Sequence, residues 1–374
     1  MRTDPARLKI FCIASFMNTA GAQEALVRVS KQLRARGHDA PVRFIYRDKP
    51  AFVDDPKVQV IRQTRDLSAL GYLLAFLGLL AQLRKERPDA VLCFMPLGTV
   101  MGCFAAALAG IPVRIASQRA PGPTFGTAMR ILDRIWGSTS LYTRITCVSQ
   151  AVSDSFDSYA HAYRKKMCVI HNGIDWKPSP LSKAQARARF NLPAETLLFF
   201  AAGRMSYQKY YAFLLERLRD VPDMHLVIAG DGDDRPALEA FIESHGLAPR
   251  VHLLGGVSHA DVVHLYAAAD VFIQTSRYEG QSNATLEAMH AGLPIITSDI
   301  SMQRETLCPV DGECVAKLVS LDDPTGWNSA IQQLISSPEE RQSLGRDAKA
   351  YVEARFGLKA MIDGFENILL EECK

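Results

Sequence analysis

Two glutamates separated by seven residues, Glu279 and Glu287, lie in the segment FIQTSRYEGQSNATLEA. A buried-type strand is expected to end near Gln274, and a short loop then carries Glu279. Gly280 supplies backbone freedom, and a helix begins near Ser282 or Asn283, either of which can cap it. Backbone N–H groups at such a start can hold a diphosphate, and the helix dipole helps. Glu287 then falls about one turn into the helix, roughly 5 Å further along its axis. Carboxylates repel phosphate, so their part is to accept hydrogen bonds from hydroxyls, one on a hexose and one on a ribose. Taken alone, the same residues also describe a helix start with two surface glutamates.

A cationic element strengthens the first reading. The apolar run Leu197–Ala202 is followed by Gly203-Arg204-Met205-Ser206-Tyr207-Gln208-Lys209. An Arg and a Lys on a loop opened by Gly203, at the carboxyl end of a strand, suit a diphosphate: Arg grips two oxygens in a fork and Lys acts as a point charge. Two solvated surface cations are the plainer alternative. Gly21-Ala22-Gln23-Glu24, after the first strand, is a weaker anion-facing turn. Asp231, Asp233 and Asp234 form an acidic cluster, but in a turn between strand and helix, where a loop role outweighs metal binding. No divalent-metal ligand set is evident.

The elements that must position these residues are legible as near-continuous apolar runs. In the first half they are Lys9–Ala14, Val42–Tyr46, Val58–Arg62, Ala90–Phe94, Val113–Ser117, Ile145–Val148 and Met167–His171. In the second half they are Leu197–Ala202, His225–Ala229, Val251–Leu254, Val271–Gln274, Ile295–Ser298 and Cys314–Leu318. Such runs, alternating with helical stretches, describe strands buried on both faces in doubly wound α/β sheets. The chain has 374 residues, 48% hydrophobic and 22% charged, enough for two domains with a core each. The turn His171-Asn-Gly-Ile-Asp175 and the polar Lys177-Pro-Ser-Pro180 mark the boundary. Two Rossmann-like halves would then be residues 1–176 and 177–356, facing across a cleft at the carboxyl ends of their strands.

Charge and cysteine usage bound the setting. With 43 basic and 40 acidic residues, the net charge of +3 demands no nucleic-acid partner. The eight cysteines are scattered without metal-ligand spacing, which reads as a reduced cytoplasmic protein with buried free thiols. The opening Met1–Arg7 has no signal-peptide pattern and runs straight into a strand. Leu67–Leu83 (LSALGYLLAFLGLLAQL), followed by Arg84-Lys85-Glu86-Arg87, is apolar nearly all round. A helix packed on a sheet and ending at Pro88 explains it better than a membrane span. A helix lying on a membrane surface, with Arg84, Lys85, Arg87 and also Arg130 and Arg134 near lipid headgroups, stands between those readings.

Taken together, the motifs resemble glycosyltransferase family 4. Glu279-x7-Glu287 within EGQSNATLEAMHAGLPIITSD looks like the family's donor-site motif. VIHNGID (169–175), AAGRMSYQK (201–209), IAGDGDDRPALE (228–239) and VHLLGGV (251–257) follow family segments in order, and AGAQEAL (20–26) is similar to its Gly-rich first loop. The resemblance implies a GT-B fold, with a helix at about 357–374 crossing back to the first, acceptor-binding domain. It implies a retaining transferase using a nucleoside-diphosphate sugar, with UDP favoured, no bound cofactor and no required metal. The acceptor would be a saccharide or lipid-linked molecule in glycan or polysaccharide biosynthesis, and the surface-helix reading of Leu67–Leu83 would place this cytoplasmic protein at the inner face of the cell membrane. Arg204 and Lys209 would hold the diphosphate, Glu287 the ribose and Glu279 the transferred sugar. The backbone from Gly280 through Gln281, Ser282, Asn283 and Ala284 would meet phosphate or sugar, and Gly21 would let the first loop approach the donor.

Three departures stand out. Tyr210 follows Lys209 where the family often has Gly, and Ala22 replaces a second loop glycine. In Arg114-Ile-Ala-Ser-Gln118-Arg119 there is no histidine where many members carry one, so Gln118 or Arg119 is the candidate contact to sugar or acceptor. An epimerase or phosphorylase on the same scaffold, or a non-catalytic sugar-binding protein, remain the competing readings.

Overall fold

The computed structural model describes residues 7–66 and 68–373. Two compact units emerge. One runs to Gly173 and regains the chain from Leu358 onward; the other is Ile174–Gly357. Among the described residues, thirteen strands correspond to the thirteen apolar runs. In the first unit these are β1 Ile10–Met17, β2 Val42–Arg47, β3 Val58–Arg62, β4 Ala90–Phe94, β5 Val113–Gln118, β6 Arg144–Cys147 and β7 Met167–Val169. The second unit has β8 Leu198–Ala202, β9 His225–Ala229, β10 Val251–Gly255, β11 Val271–Gln274, β12 Ile295–Ser298 and β13 Lys317–Val319. Every named pairing is parallel, in the orders β3-β2-β1-β4-β5-β6-β7 and β10-β9-β8-β11-β12-β13. Each sheet is therefore doubly wound, and its order reverses once: at β1/β4 in the first unit and at β8/β11 in the second.

The runs are apolar on both faces because helices cover both sides. All five residues of β4 are buried, as are all four of β11. In the first unit Leu26, Leu33, Val42, Phe44 and Leu92 share a core with Met361, Ile362, Phe365 and Leu369. The last four come from the helix Leu358–Glu372, which packs beside the helix Gly21–Ala35. Arg36 pairs with Asp363 at 2.7 Å, and His38 Nε2 lies 3.0 Å from Glu366 Oε1, fixing that helix at its polar edge.

Two expectations need correction. The thiols are not all free: Cys308 and Cys314 form a disulfide, and six cysteines remain unpaired. The helix Ser301–Leu307 ends just before Cys308, and the loop of residues 309–313 brings the two Cα atoms to 4.0 Å. This also delays the last strand. Cys314 is held in the loop, Val315 N–H donates to the Leu307 carbonyl at 2.8 Å, and β13 starts at Lys317 rather than Cys314. A cytoplasmic setting therefore loses its cysteine argument.

The apolar stretch expected at Leu67–Leu83 forms the helix Ala69–Glu86; Leu67 itself lies outside the described residues, as do the first six. Ser68, read from sequence as an interruption, is its N-cap and accepts from Gly71 N–H. The helix ends at Arg87, in a left-handed conformation, directly before Pro88. Among the described residues no helix is long and apolar enough to cross a membrane.

Candidate functional site

Open parallel sheets present ligands at the carboxyl ends of the strands where their order reverses. In the second unit both sequence motifs leave the strands at that reversal: Gly203–Tyr210 follows β8 and Thr275–Ser282 follows β11. The two loops are stitched together. Arg277 N–H donates to the Gln208 carbonyl at 2.8 Å, and Thr275 Oγ1 donates to the Lys209 and Tyr210 carbonyls at 3.0 and 3.2 Å. Gly203 has φ +140°, and a Cβ there would stand 2.6 Å from Lys209 Cε. Gly230, after β9, has φ +147°, and a Cβ there would overlap the Gly203 carbonyl. Glycine at both positions lets three loops approach closely enough to aim Lys209 inward.

An ion pair unforeseen from sequence sits at the centre. Lys209 Nζ lies 2.7 Å from Glu279 Oε1, with side-chain exposures of 12% and 8%. The same oxygen accepts from Ser276 Oγ at 2.7 Å and Gln274 Nε2 at 3.2 Å, and Gln208 Nε2 donates to Oε2 at 3.3 Å. A carboxylate has about four acceptor positions, so Oε2 keeps capacity for a further donor such as a hydroxyl. An ammonium has three N–H bonds, and Lys209 spends one on Glu279, which leaves donors for an anion.

The neighbouring residues divide by environment. Arg204 is exposed and, among the described residues, has no carboxylate within ion-pair distance, so its charge is uncompensated. Gly280, Gln281 and Ser282 are buried, and the helix begins at Asn283 and Ala284, both partly exposed. Ser282 Oγ caps it by accepting from Thr285 N–H at 3.2 Å and donates to Gln274 Oε1 at 2.9 Å. Gln274 thus ties Glu279 to the helix cap through the two ends of one amide. Glu287 is 7% exposed, and the Tyr266 hydroxyl lies 3.0 Å from its Oε2.

Gln208, Gln274, Ser276 and Tyr266 were missed as supporting residues. The first three lie inside the quoted motifs but are neutral, and no spacing rule marks them. Tyr266 comes from the separate helix His259–Ala268, so nothing local announces it.

Tyr210 has φ +50° and ψ 45°, a left-handed backbone that favours glycine, which explains why glycine suits this place. The Arg277 guanidinium sits 3.6 Å from the Tyr210 ring centroid and 4.3 Å from that of Tyr207, so cation–π contacts offset part of the strain. Of the acidic cluster, Asp231 accepts from Gly232 N–H at 2.9 Å and lies 3.9 Å from Arg235. Among the described residues no group of three or more His, Cys, Asp or Glu is placed to hold a metal ion.

In the first unit Gly21 is the exposed first residue of the helix after β1, which flanks that sheet's reversal. Gln118 and Arg119, at the end of β5, have different fates. Gln118 is buried, and its Nε2 donates to Asp133 Oδ1 at 2.8 Å and to the Tyr163 hydroxyl at 2.9 Å. Both N–H donors of its amide are thus directed into the interior of the first unit. Arg119 donates to Asn172 and lies over the Phe94 ring at 4.8 Å. Among the described residues it has no carboxylate partner. Burial first, then Arg28, push its guanidinium down to about 9.

Two doubly wound parallel sheets, each reversing once, with the last helix returned to the first unit, define the GT-B fold. The solved structure of Anabaena HepE in complex with UDP and glucose has this fold, with TM-score 0.84 at 20% identity over 97% of this chain and 99% of that one. The family model described as Glycosyltransferase Family 4 matches residues 19–177, and the one described as Glycosyl transferases group 1 matches residues 182–351. The chain belongs to glycosyltransferase family 4. Among its relatives, the Rhizobium meliloti lipopolysaccharide core biosynthesis glycosyltransferase LpsD is 28% identical, over 54% of this chain and 57% of that one. The Escherichia coli UDP-Gal:alpha-D-GlcNAc-diphosphoundecaprenol alpha-1,3-galactosyltransferase is 24% identical, over 82% of this chain and 81% of that one.

Proposed function

We infer that the protein is a retaining glycosyltransferase that moves a sugar from a UDP-sugar to a saccharide or lipid-linked acceptor in glycan biosynthesis. The observation carrying this reading is the Lys209–Glu279 pair, held by two loops at the sheet reversal with Arg204 uncompensated on the same β8 loop. The donor diphosphate takes Arg204, Lys209 and the backbone from Gly280 to Ala284, beside Gly203. Glu287 accepts from the ribose hydroxyls, and Glu279 Oε2 accepts from the transferred sugar. UDP is favoured by the UDP-bound fold neighbour and the UDP-Gal-using relative. The second unit is then the nucleotide-sugar domain, and the first, with Gly21 and Arg119, the acceptor domain, working at the inner face of the cell membrane.

As the glycosidic bond to the donor phosphate breaks, positive charge spreads over the sugar ring and negative charge collects on the departing diphosphate. On this reading Arg204 and Lys209 stabilise that negative charge. The acceptor oxygen attacks from the leaving-group face, and its proton passes to the departing phosphate oxygen. Glu279 is engaged by Lys209, Ser276 and Gln274, so it serves as a hydrogen-bond acceptor rather than a nucleophile.

Thermal unfolding in the presence of UDP, GDP or ADP tests the donor. Saturating UDP, at about 100 times its Kd, should stabilise the fold by about 2.7 kcal/mol. Equal shifts with GDP and ADP would remove UDP from the proposal. Release of UDP from a UDP-sugar only when acceptor is present separates transfer from epimerase or phosphorylase chemistry. Arg119→Met should raise the KM for acceptor or sugar about tenfold or more, the scale of one lost charge-assisted hydrogen bond, with UDP affinity unchanged. Unchanged kinetics would remove Arg119 from the site.

A further inference from the structure

Tyr266 reaches the donor region from outside the two site loops. It belongs to the helix His259–Ala268 and is fully buried. Its ring centroid lies 5.0 Å from that of Phe200 on β8 and 5.9 Å from that of Phe272 on β11. Those two residues are register partners where the order of the second sheet reverses. Trp176, half-buried, meets the ring edge-on from another side at 5.6 Å. The Trp176 ring also stacks on His290, one turn beyond Glu287, at 6.3 Å. These contacts hold the tyrosine ring in place, so that its hydroxyl meets the first turns of the helix Asn283–His290.

That hydroxyl lies 3.0 Å from Glu287 Oε2 and 3.0 Å from the Ala284 carbonyl oxygen. It has one proton and so donates to one of them. The carboxylate is the stronger acceptor, and the Ala284 carbonyl has the intrahelical ladder to serve it. Tyr266 therefore anchors Oε2 of Glu287. A carboxylate gripped at one oxygen by a fixed donor loses its rotation about the Cγ–Cδ bond before any ligand arrives. That is the preorganisation a hydroxyl-reading site needs. Glu287 is itself mostly buried, so water replaces a missing ligand hydroxyl poorly. A tyrosine serving the core alone would need no hydroxyl. Phe200 and Phe272 fill the same apolar cluster without one, and burying a hydroxyl carries a desolvation cost.

We propose that Tyr266 is the positioning residue that makes Glu287 select a ribonucleotide over its 2′-deoxy counterpart, with Trp176 as the wall that keeps Tyr266 in place. The proposal rests on the donor-site reading above, in which Glu287 accepts from the ribose hydroxyls. Its own content is that selectivity resides in the pair rather than in Glu287 alone. Tyr266 acts through the carboxylate and not on the donor itself.

Calorimetric titration of the full chain with UDP and with 2′-deoxy-UDP tests this role. Wild type should bind UDP about tenfold or more tighter, the scale of one hydrogen bond to a charged group. Tyr266→Phe keeps the ring and should bring that ratio below about threefold, by weakening UDP more than 2′-deoxy-UDP. Trp176→Leu keeps the hydroxyl but loosens the ring, and should give an intermediate ratio. Glu287→Gln should abolish the preference, and adding Tyr266→Phe to it should change the ratio no further, since both act on one contact. Melting temperatures of the free proteins show that each variant is folded, and Trp176→Leu reads the same ratio should Tyr266→Phe be unstable. A merely structural Tyr266 would weaken both nucleotides alike. A wild-type preference that survives Tyr266→Phe and Trp176→Leu therefore overturns the role of Tyr266 alone. Equal binding of both nucleotides by wild type would remove the ribose contact of Glu287 and this role together. A wild-type chain that binds neither overturns the donor-site reading itself, and the role of Tyr266 falls with it.

Discussion

Replacing Lys209 with alanine is expected to lower transfer by about a hundredfold to a thousandfold while donor binding weakens less. Removal of one preorganised group that stabilises developing charge costs about 3–4 kcal/mol of transition-state stabilisation. Lys209 meets that description because its ammonium is mostly buried and fixed by Glu279 before substrate arrives. The same burial complicates the test. Without the lysine, Glu279 keeps donors from Ser276, Gln274 and Gln208 but loses its charge partner, and an uncompensated buried carboxylate destabilises a fold by several kcal/mol. Lys209→Met/Glu279→Gln separates the two effects. The double variant removes both charges, so its melting temperature should recover toward wild type while transfer stays absent. Recovery of activity together with stability would reduce Lys209 to a structural role. Full activity in a folded Lys209→Ala protein would remove it from the mechanism.

That ion pair marks the limit of what could be read from the chain. Strand positions were legible because residues buried on both faces must be apolar throughout, and no other element of this length needs that. Fold class followed from their alternation with helices. The two site loops were legible because Gly203 and Gly280 each follow a strand and precede polar residues of few alternative uses. Pairing across about 70 positions was not legible, since Lys209 and Glu279 meet only once β8 and β11 lie side by side. Gln118 illustrates the reverse failure. At a strand end next to Arg119 it looks like a ligand contact, yet the chain turns it inward, and only Asp133 and Tyr163, 15 and 45 residues away, reveal why. Cys308 and Cys314 were invisible as a pair because a disulfide depends on where a helix stops, and that stop lies between apolar Leu307 and the polar loop it precedes.

Asp133→Asn is expected to change how stability depends on pH, with the largest difference from wild type near neutral pH. Burial holds the Asp133 carboxyl up at about 6, against 3.8 for the unfolded group, and hydrogen bonds from Tyr163, Gln118 and Tyr142 offset only part of that cost. The folded chain therefore binds this proton more tightly than the unfolded chain. Its contribution to stability is fully present below about pH 4, is lost as pH rises through about 6, and is level beyond. A rise of this size corresponds to at most about 3 kcal/mol. Asparagine keeps the shape and accepts from Gln118, and its amide can donate to the Tyr163 oxygen, so the network of neutral hydrogen bonds survives. Urea unfolding of both proteins from pH 4.5 to 8, with the transition of each unit fitted separately, should show the variant gaining on wild type across this window in the first unit alone. Parallel curves would mean that Asp133 titrates as an ordinary carboxylate. A variant less stable than wild type at pH 8 would mean that the charged form, held by its three donors, is the one the fold selects.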